Sequence, residues 1–278
     1  MGKIVWLASY PKSGNTWIRL LLSNLLYPQK MPSVHLAQLI RNASDRHLFD
    51  SYSDLDSSDL SLKEIKQLRK KVFEAYSDAS KNLVFLKTHD SFKNSTFSDY
   101  FISAQSTKAV IYIIRNPLDI VISYAAFKNR TIDKTIEVML DQNARLSSYK
   151  KTKLLNSLPQ EVSSWSNHVT SWIEQKEIPL IVIRYEDLLF NTTTELLRIV
   201  DFLKLNSTEE EIKIAVNKCN FNQLQIEEKE YGFAEKDSST ISFFRKGVAG
   251  EGLTVLTKKQ IATIKNNFEE QMKLFGYI

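Results

Sequence analysis

Residues 4–26 read IVWLASYPKSGNTWIRLLLSNLL, and the reading of this stretch decides the fold. Ile4, Val5, Trp6, Leu7 and Ala8 form a short, unbroken apolar run, with the length and composition of a strand buried on both faces. From Thr16 onward, Trp17, Leu20, Leu21 and Leu25 recur at helical spacing, which predicts a helix to residue 26. Between them, Ser9-Tyr10-Pro11-Lys12-Ser13-Gly14-Asn15-Thr16 is a tight polar turn with one lysine and one glycine. Such a turn suits an anion. A helix N-terminus presents unpaired N–H groups and partial positive charge, glycine lets the backbone approach, and lysine adds a full charge. An ordinary strand-to-helix connection is the other reading of these residues alone. The turn is not a Walker A loop, because its lysine precedes its only glycine.

Three further apolar runs predict strands, at residues 83–86, 109–114 and 180–184. Each ends in polar residues that carry chemistry: Lys87-Thr88-His89-Asp90, Arg115-Asn116-Pro117 and Tyr185-Glu186-Asp187. Helical periodicity predicts helices over 61–77, 131–149, 161–174 and 257–275. Capping boxes are expected at Ser61, Thr192, Thr208 and Thr257. Residues 27–58 read as an irregular connection with one short helix near 36–41, and 150–159 as a basic break. The lysines and arginine of the 61–77 helix are expected on a solvated face, His35 and His47 on the surface, and Trp165 and Trp172 in the core. His168 has no recognisable partner in the sequence. Strands alternating with helices predict an α/β fold, a single domain over 1–278 whose central parallel sheet is flanked by helices. Residues that follow parallel strands gather at one sheet edge, where such folds bind ligands.

Composition narrows the class. The chain has 278 residues, 43% hydrophobic and 25% charged, which is ordinary for a globular protein. A net charge of +5 suits an anionic small ligand and is too small to argue for nucleic acid. The single cysteine, Cys219, excludes an intrachain disulfide and a multi-cysteine metal site. No apolar run approaches a membrane span, and the chain begins directly with the first strand, so the expectation is a cytoplasmic protein. A homodimer is allowed but not supported by the sequence.

Tyr10-Pro11-Lys12-Ser13-Gly14-Asn15-Thr16-Trp17 resembles the 5′-phosphosulfate-binding loop, YPKSGTTW, of the sulfotransferases that use 3′-phosphoadenosine 5′-phosphosulfate (PAPS). Asn15 replaces a threonine there and keeps a donor. Lys87-Thr88-His89 is similar to the family's Lys-Thr-His motif. The resemblance implies His89 as catalytic base and Lys87 beside the transferring group, with Lys12 as a further catalytic cation. Arg115-Asn116-Pro117, with Ser123 eight residues beyond the arginine, is similar to the 3′-phosphate-binding segment. Tyr185 and Phe221 match positions near the adenine, though Cys219 stands where the family has a hydroxyl. Phe244-Arg245-Lys246-Gly247-Val248-Ala249-Gly250 resembles the R-K-G-x-x-G segment that closes over the nucleotide; the Gly-Asp-Trp-Lys that usually follows is replaced by Gly250-Glu251-Gly252-Leu253.

The resemblance implies the P-loop nucleoside triphosphate hydrolase-like fold of sulfotransferases and a PAPS-binding set of Lys12, Ser13, Gly14, Asn15, Thr16, Trp17, Arg115, Ser123, Tyr185, Phe221, Phe244, Arg245, Lys246 and Gly247. It implies transfer of a sulfuryl group from PAPS to a hydroxyl or amine of a small-molecule, lipid or saccharide acceptor, with no metal. Glu186 and Asp187 are expected in structural roles, such as hydrogen bonding to the phosphate-binding turns. The alternatives are a nucleotide-dependent kinase of the same broad fold and a non-catalytic nucleotide-binding protein. The acceptor pocket is expected among 27–58, 127–157 and 225–240.

Overall fold

The computed structural model describes residues 2–28, 31–92, 101–147, 155–236 and 242–278. In chain order the elements are β1 (Ile4–Ser9), α1 (Asn15–Leu26), α2 (Ser33–Leu36), a 3-10 turn at Ala37–Leu39, β2 (Arg41–Asn42), α3 (Arg46–Ser53), α4 (Leu62–Ala79), β3 (Val84–Thr88), β4 (Thr107–Ile114), α5 (Pro117–Lys128) and α6 (Ile132–Leu140). There follow β5 (Arg145–Leu146), β6 (Gln160–Glu161), α7 (Trp165–Ile173), β7 (Leu180–Arg184), α8 (Tyr185–Phe190), α9 (Thr192–Leu203), α10 (Glu209–Lys218), α11 (Phe221–Tyr231), α12 (Gly252–Val255) and α13 (Lys258–Leu274). Five of these strands form a parallel sheet in the order β2-β3-β1-β4-β7, as the α/β pattern requires, and β5 and β6 form a separate antiparallel pair. β1 pairs with β3 from Ile4↔Val84 to Ala8↔Thr88, and every residue of β1 is buried, which is why its apolar run has no polar alternation.

The chain divides into two compact units. The first comprises Met1–Tyr10, Arg41–Tyr112 and Leu140–Leu180. Its core packs Trp6 edge-on to Phe73 and stacks Tyr112 near Trp172; Trp165 and Trp172 are both fully buried, as expected. The second comprises Pro11–Ile40, Ile113–Met139 and Ile181–Ile278. There α1 buries Ile18, Leu20, Leu21 and Leu22, and α13 buries Ile264, Phe268 and Met272.

Several expectations are corrected. Within 27–58 the chain is more ordered than its composition suggests: the Asp45 side chain accepts the His47 N–H at 3.0 Å and caps α3, which buries Leu48 and Phe49. The helix expected over 131–149 stops at Leu140, where the Asp141 carboxylate accepts the Asn143 N–H and turns the chain into β5; its last residues, 148–149, and part of the break, 150–154, lie outside the described residues. The helix expected from 161 starts at Trp165 instead, capped by Ser164, and Gln160–Glu161 are extended. Thr192 makes no capping box: it lies inside α9 and its hydroxyl donates to the Leu188 carbonyl. The boxes at Ser61, Thr208 and Thr257 are all formed. Arg69, expected on a solvated face, is 5% exposed and pairs with buried Asp90 at 2.8 Å.

His168, which has no partner legible in the sequence, is fully buried in the first unit, with the Tyr112 hydroxyl 2.9 Å from its Nδ1. Burial pushes its pKa down from 6.5 to about 3, against the opposing pull of the His89 and Asp90 carbonyls. Between those two values the unfolded chain binds a proton that the folded chain refuses, so stability falls as pH drops below the unfolded pKa. From pH 7 to pH 5 this residue alone should remove about 2 kcal/mol. Urea unfolding at both pH values checks it: His168→Gln should lose about 2 kcal/mol less than the parent over that interval, and equal losses would show that the buried ring titrates normally.

Candidate functional site

In the second unit the turn after β1 is shaped by two residues in the left-handed region, Lys12 (φ 69°) and Gly14 (φ 101°). Gly14 caps α1, its carbonyl accepting the Trp17 N–H at 3.0 Å. A Cβ there would meet the Tyr185 ring at 2.6 Å, so this position needs glycine both for its φ and for the closeness of the ring. The Ser13 hydroxyl is buried with no hydrogen-bond partner among the described residues. The Lys12 ammonium lies 4.1 Å from the Phe127 ring centre and 4.4 Å from that of Phe243.

Arg115, at the end of β4, joins the separate motifs. Its Nη1 donates to the Lys12 carbonyl at 3.3 Å and its Nη2 to the Val248 carbonyl at 3.0 Å, while its guanidinium lies 4.1 Å from the Tyr185 ring centre. Its Nε is buried without a hydrogen-bond partner among the described residues. One cation thus touches the turn after β1, the 244–250 loop and Tyr185, three segments far apart in sequence. Tyr185 is buried, and burial holds its phenol above its ordinary range despite Arg115 beside it. Trp17 sits edge-on to Tyr185 and donates from Nε1 to the Cys219 carbonyl at 3.0 Å. Ser123 lies half-buried on α5.

The 244–252 loop is held by residues that the sequence reading did not single out. Both Asp119 carboxylate oxygens accept backbone N–H groups at 2.7 Å, one from Gly250 and one from Gly252. Glu228 accepts the N–H groups of Phe243 and Phe244, and Gln225 donates to the Phe244 carbonyl at 2.8 Å. Phe221, the first residue of α11, lies against Gly247, where a Cβ would meet its ring at 2.4 Å. Arg245 and Lys246 are exposed and pair with Glu251 at 2.6 and 2.5 Å. Burial raises the Glu251 pKa, but the hydrogen bonds from the two cations outweigh it and leave the carboxyl below its usual range. Glu186 has the structural role expected of it: one oxygen accepts the Asn116 N–H at 2.9 Å, next to Arg115, and the other accepts the Tyr277 hydroxyl at 3.1 Å. Asp187 instead pairs with Arg184 at 3.1 Å.

In the first unit, β3 runs to Thr88, so Lys87 is on the strand and His89 is the first residue beyond it. The His89 Nδ1 lies 2.8 Å from the Ser9 carbonyl and 3.3 Å from the Ser9 hydroxyl. A carbonyl only accepts, so Nδ1 carries the proton in the neutral ring and Nε2 is the basic nitrogen. The next residue, Asp90, is 2% exposed and over-determined: Arg69 and the Thr88 hydroxyl donate to one oxygen, the Glu161 N–H to the other, and Trp172 Nε1 to its carbonyl. Among the described residues no cluster of His, Cys, Asp and Glu is arranged to hold a metal ion, and no helix is long and apolar enough to cross a membrane.

The family model described as "Sulfotransferase domain" matches residues 3–276, which takes in both units. The amine sulfotransferase of Oryctolagus cuniculus is 26% identical over 190 residues, 63% of this chain and 60% of that one. Cytosolic sulfotransferase 12 of Arabidopsis thaliana is 24% identical over 278 residues, 97% of this chain and 77% of that one. The rabbit match thus spans under two thirds of that protein's length. Among solved structures, mouse sulfotransferase SULT7A1 complexed with PAP superposes with a TM-score of 0.61 at 18% identity, covering 97% of this chain and 84% of that one. Retinol dehydratase in complex with androsterone and inactive cofactor PAP gives 0.64 at 17% identity, covering 98% and 81%. At these identities the structures establish the fold, and the family match establishes kinship: the chain belongs to the sulfotransferase domain family.

Proposed function

We propose that this chain is an enzyme that moves a sulfuryl group from PAPS to a hydroxyl or amine of a small-molecule, lipid or saccharide acceptor, leaving adenosine 3′,5′-bisphosphate (PAP). The observation that carries the reading is the convergence on Arg115 of the turn bearing Lys12, the ring of Tyr185 and the loop bearing Arg245–Gly247. Two buried donor groups without partners among the described residues, Ser13 Oγ and Arg115 Nε, fit an anionic ligand. Lys12, Ser13, Gly14, Asn15 and Thr16 bind the 5′ end, where helix α1 adds its N-terminal N–H groups. Arg115, Ser123, Arg245, Lys246 and Gly247 bind the 3′-phosphate. Trp17, Tyr185, Phe221 and Phe244 supply the aromatic surfaces for the adenine. Named relatives act on different acceptors, an amine in one case and a 3-beta-hydroxysteroid in another, and both are small organic molecules. The kinase alternative is not favoured by the family match.

Sulfuryl transfer, like phosphoryl transfer, leaves the protein little covalent work; positioning and fixed charge supply most of the acceleration. His89 Nε2 takes the acceptor proton as the acceptor oxygen or nitrogen attacks sulfur. The bond from sulfur to the 5′-phosphate oxygen breaks, and Lys12 meets the negative charge that grows there. Lys87 supports the charge on the transferring group's oxygens.

Transfer of radiolabelled sulfate from PAPS to a panel of phenols, alcohols and amines tests the activity. His89→Ala should lower kcat by about 10²-fold or more, the contribution of a positioned base, and leave PAP affinity within about twofold of the parent by calorimetry; matching losses in both would make His89 a structural residue. Gly247→Ala drives a methyl into the Phe221 ring. It should weaken PAP binding about tenfold, the loss of a tight stacking contact; unchanged PAP affinity would remove Phe221 from the adenine site.

A further inference from the structure

We propose that Gln160 is a positioning residue for His89: its side-chain oxygen accepts the His89 backbone N–H at 3.0 Å, and this bond aims the ring at the Ser9 carbonyl that fixes its tautomer. The inference rests on the reading of His89 as the base and goes beyond it to what makes the ring a base. Gln160 is 4% exposed, on a two-residue strand that the helical reading of this segment had hidden. That strand holds three successive residues. Gln160 takes the His89 N–H, the Glu161 N–H donates to the Asp90 carboxylate at 2.7 Å, and the Glu161 carbonyl accepts the Ser91 N–H at 2.8 Å.

The strand is itself anchored. β6 pairs antiparallel with β5, and the Glu161 carboxylate meets Lys66 from α4 and Arg145 from β5, the latter at 3.3 Å. Asp90 is locked independently by Arg69. The His89 N–H is held by a side chain, so replacing Gln160 removes that bond and leaves the contacts of β6 with Asp90 and Ser91 in place. Released, the strand end rotates, Nδ1 loses the Ser9 carbonyl and the ring relaxes towards the Nε2–H form that free imidazole favours. That form carries its proton on the nitrogen the reaction needs bare.

The chain has only four histidines, so ring nitrogen spectra can be read residue by residue, with His89→Asn identifying the His89 signals. The full-length parent, Gln160→Ala and Gln160→Glu are compared by long-range proton–nitrogen NMR and by turnover of PAPS with 2-naphthol as the acceptor probe. The parent should show His89 as Nδ1–H. Gln160→Ala should shift it towards Nε2–H and lower kcat between about tenfold and 10²-fold, the effect of misplacing a reacting group, with KM for PAPS unchanged. Gln160→Glu keeps the acceptor oxygen; it should retain the Nδ1–H form, and its added charge should move the acid limb of the kcat profile to higher pH. If Gln160→Ala leaves the His89 tautomer as in the parent, the positioning role is overturned whatever the turnover. If His89→Asn turns over like the parent, it is the reading of His89 as base that fails. If His89→Asn is inactive while Gln160→Ala matches the parent in kcat and tautomer, only the role of Gln160 fails.

Discussion

The buried guanidinium of Arg115 is the constraint on which the site in the second unit depends. A cation with 9% exposure must be met by acceptors, and the ones it finds are backbone carbonyls of Lys12 and Val248 together with the face of Tyr185. Carbonyls carry only partial charge, so the guanidinium keeps most of its field for an anion. Its placement is secured by Glu186 and Asp119. Glu186 fixes the adjacent Asn116 backbone and is itself held by Tyr277, whose phenol is kept well above its usual range by burial and by the carboxylate it donates to. Asp119 ties down Gly250 and Gly252, close in sequence to the Val248 carbonyl that Arg115 uses.

The same loop carries a competition. Arg245 and Lys246, proposed for the 3′-phosphate, are paired with Glu251, at a position where the family sequence quoted above has Asp followed by Trp and Lys. A depressed carboxyl pKa means that Glu251 stays ionised across the neutral range, so an incoming phosphate shares or displaces a carboxylate that is already charged. The two cations themselves are exposed, which leaves both accessible to a dianion. Arg115, by contrast, is buried and bound to the carbonyls of Lys12 and Val248.

The strand ends were legible because each follows an apolar run and carries residue types with few structural uses in combination: Lys12 before Gly14, His89 after Lys87, Arg115 before Pro117. The family resemblance then gave them roles that periodicity alone could not. The supports were not legible. Asp119, Glu228 and Gln160 look like ordinary surface residues in sequence, and their partners lie 131, 15 and 71 residues away. Arg69 failed for the same reason: a helix written with many lysines hides a cation that turns inward to a buried carboxylate 21 residues on. Residues 161–174 misled because Val162 and Trp165 keep helical spacing while Ser163, at φ 63°, breaks the backbone. His168 was opaque because its partner Tyr112 sits on a strand 56 residues earlier.

The central claim is that one cationic site, organised by Arg115, reads the 3′-phosphate of an adenosine bisphosphate. The most direct measurement is calorimetric titration of the unmodified chain with PAP and with adenosine 5′-monophosphate, which differ only in that group. The account predicts that PAP binds at least about 10²-fold more tightly, as expected for a charge-assisted, multiply contacted phosphate, with the difference shrinking as salt is raised. Equal affinities for the two nucleotides would contradict it.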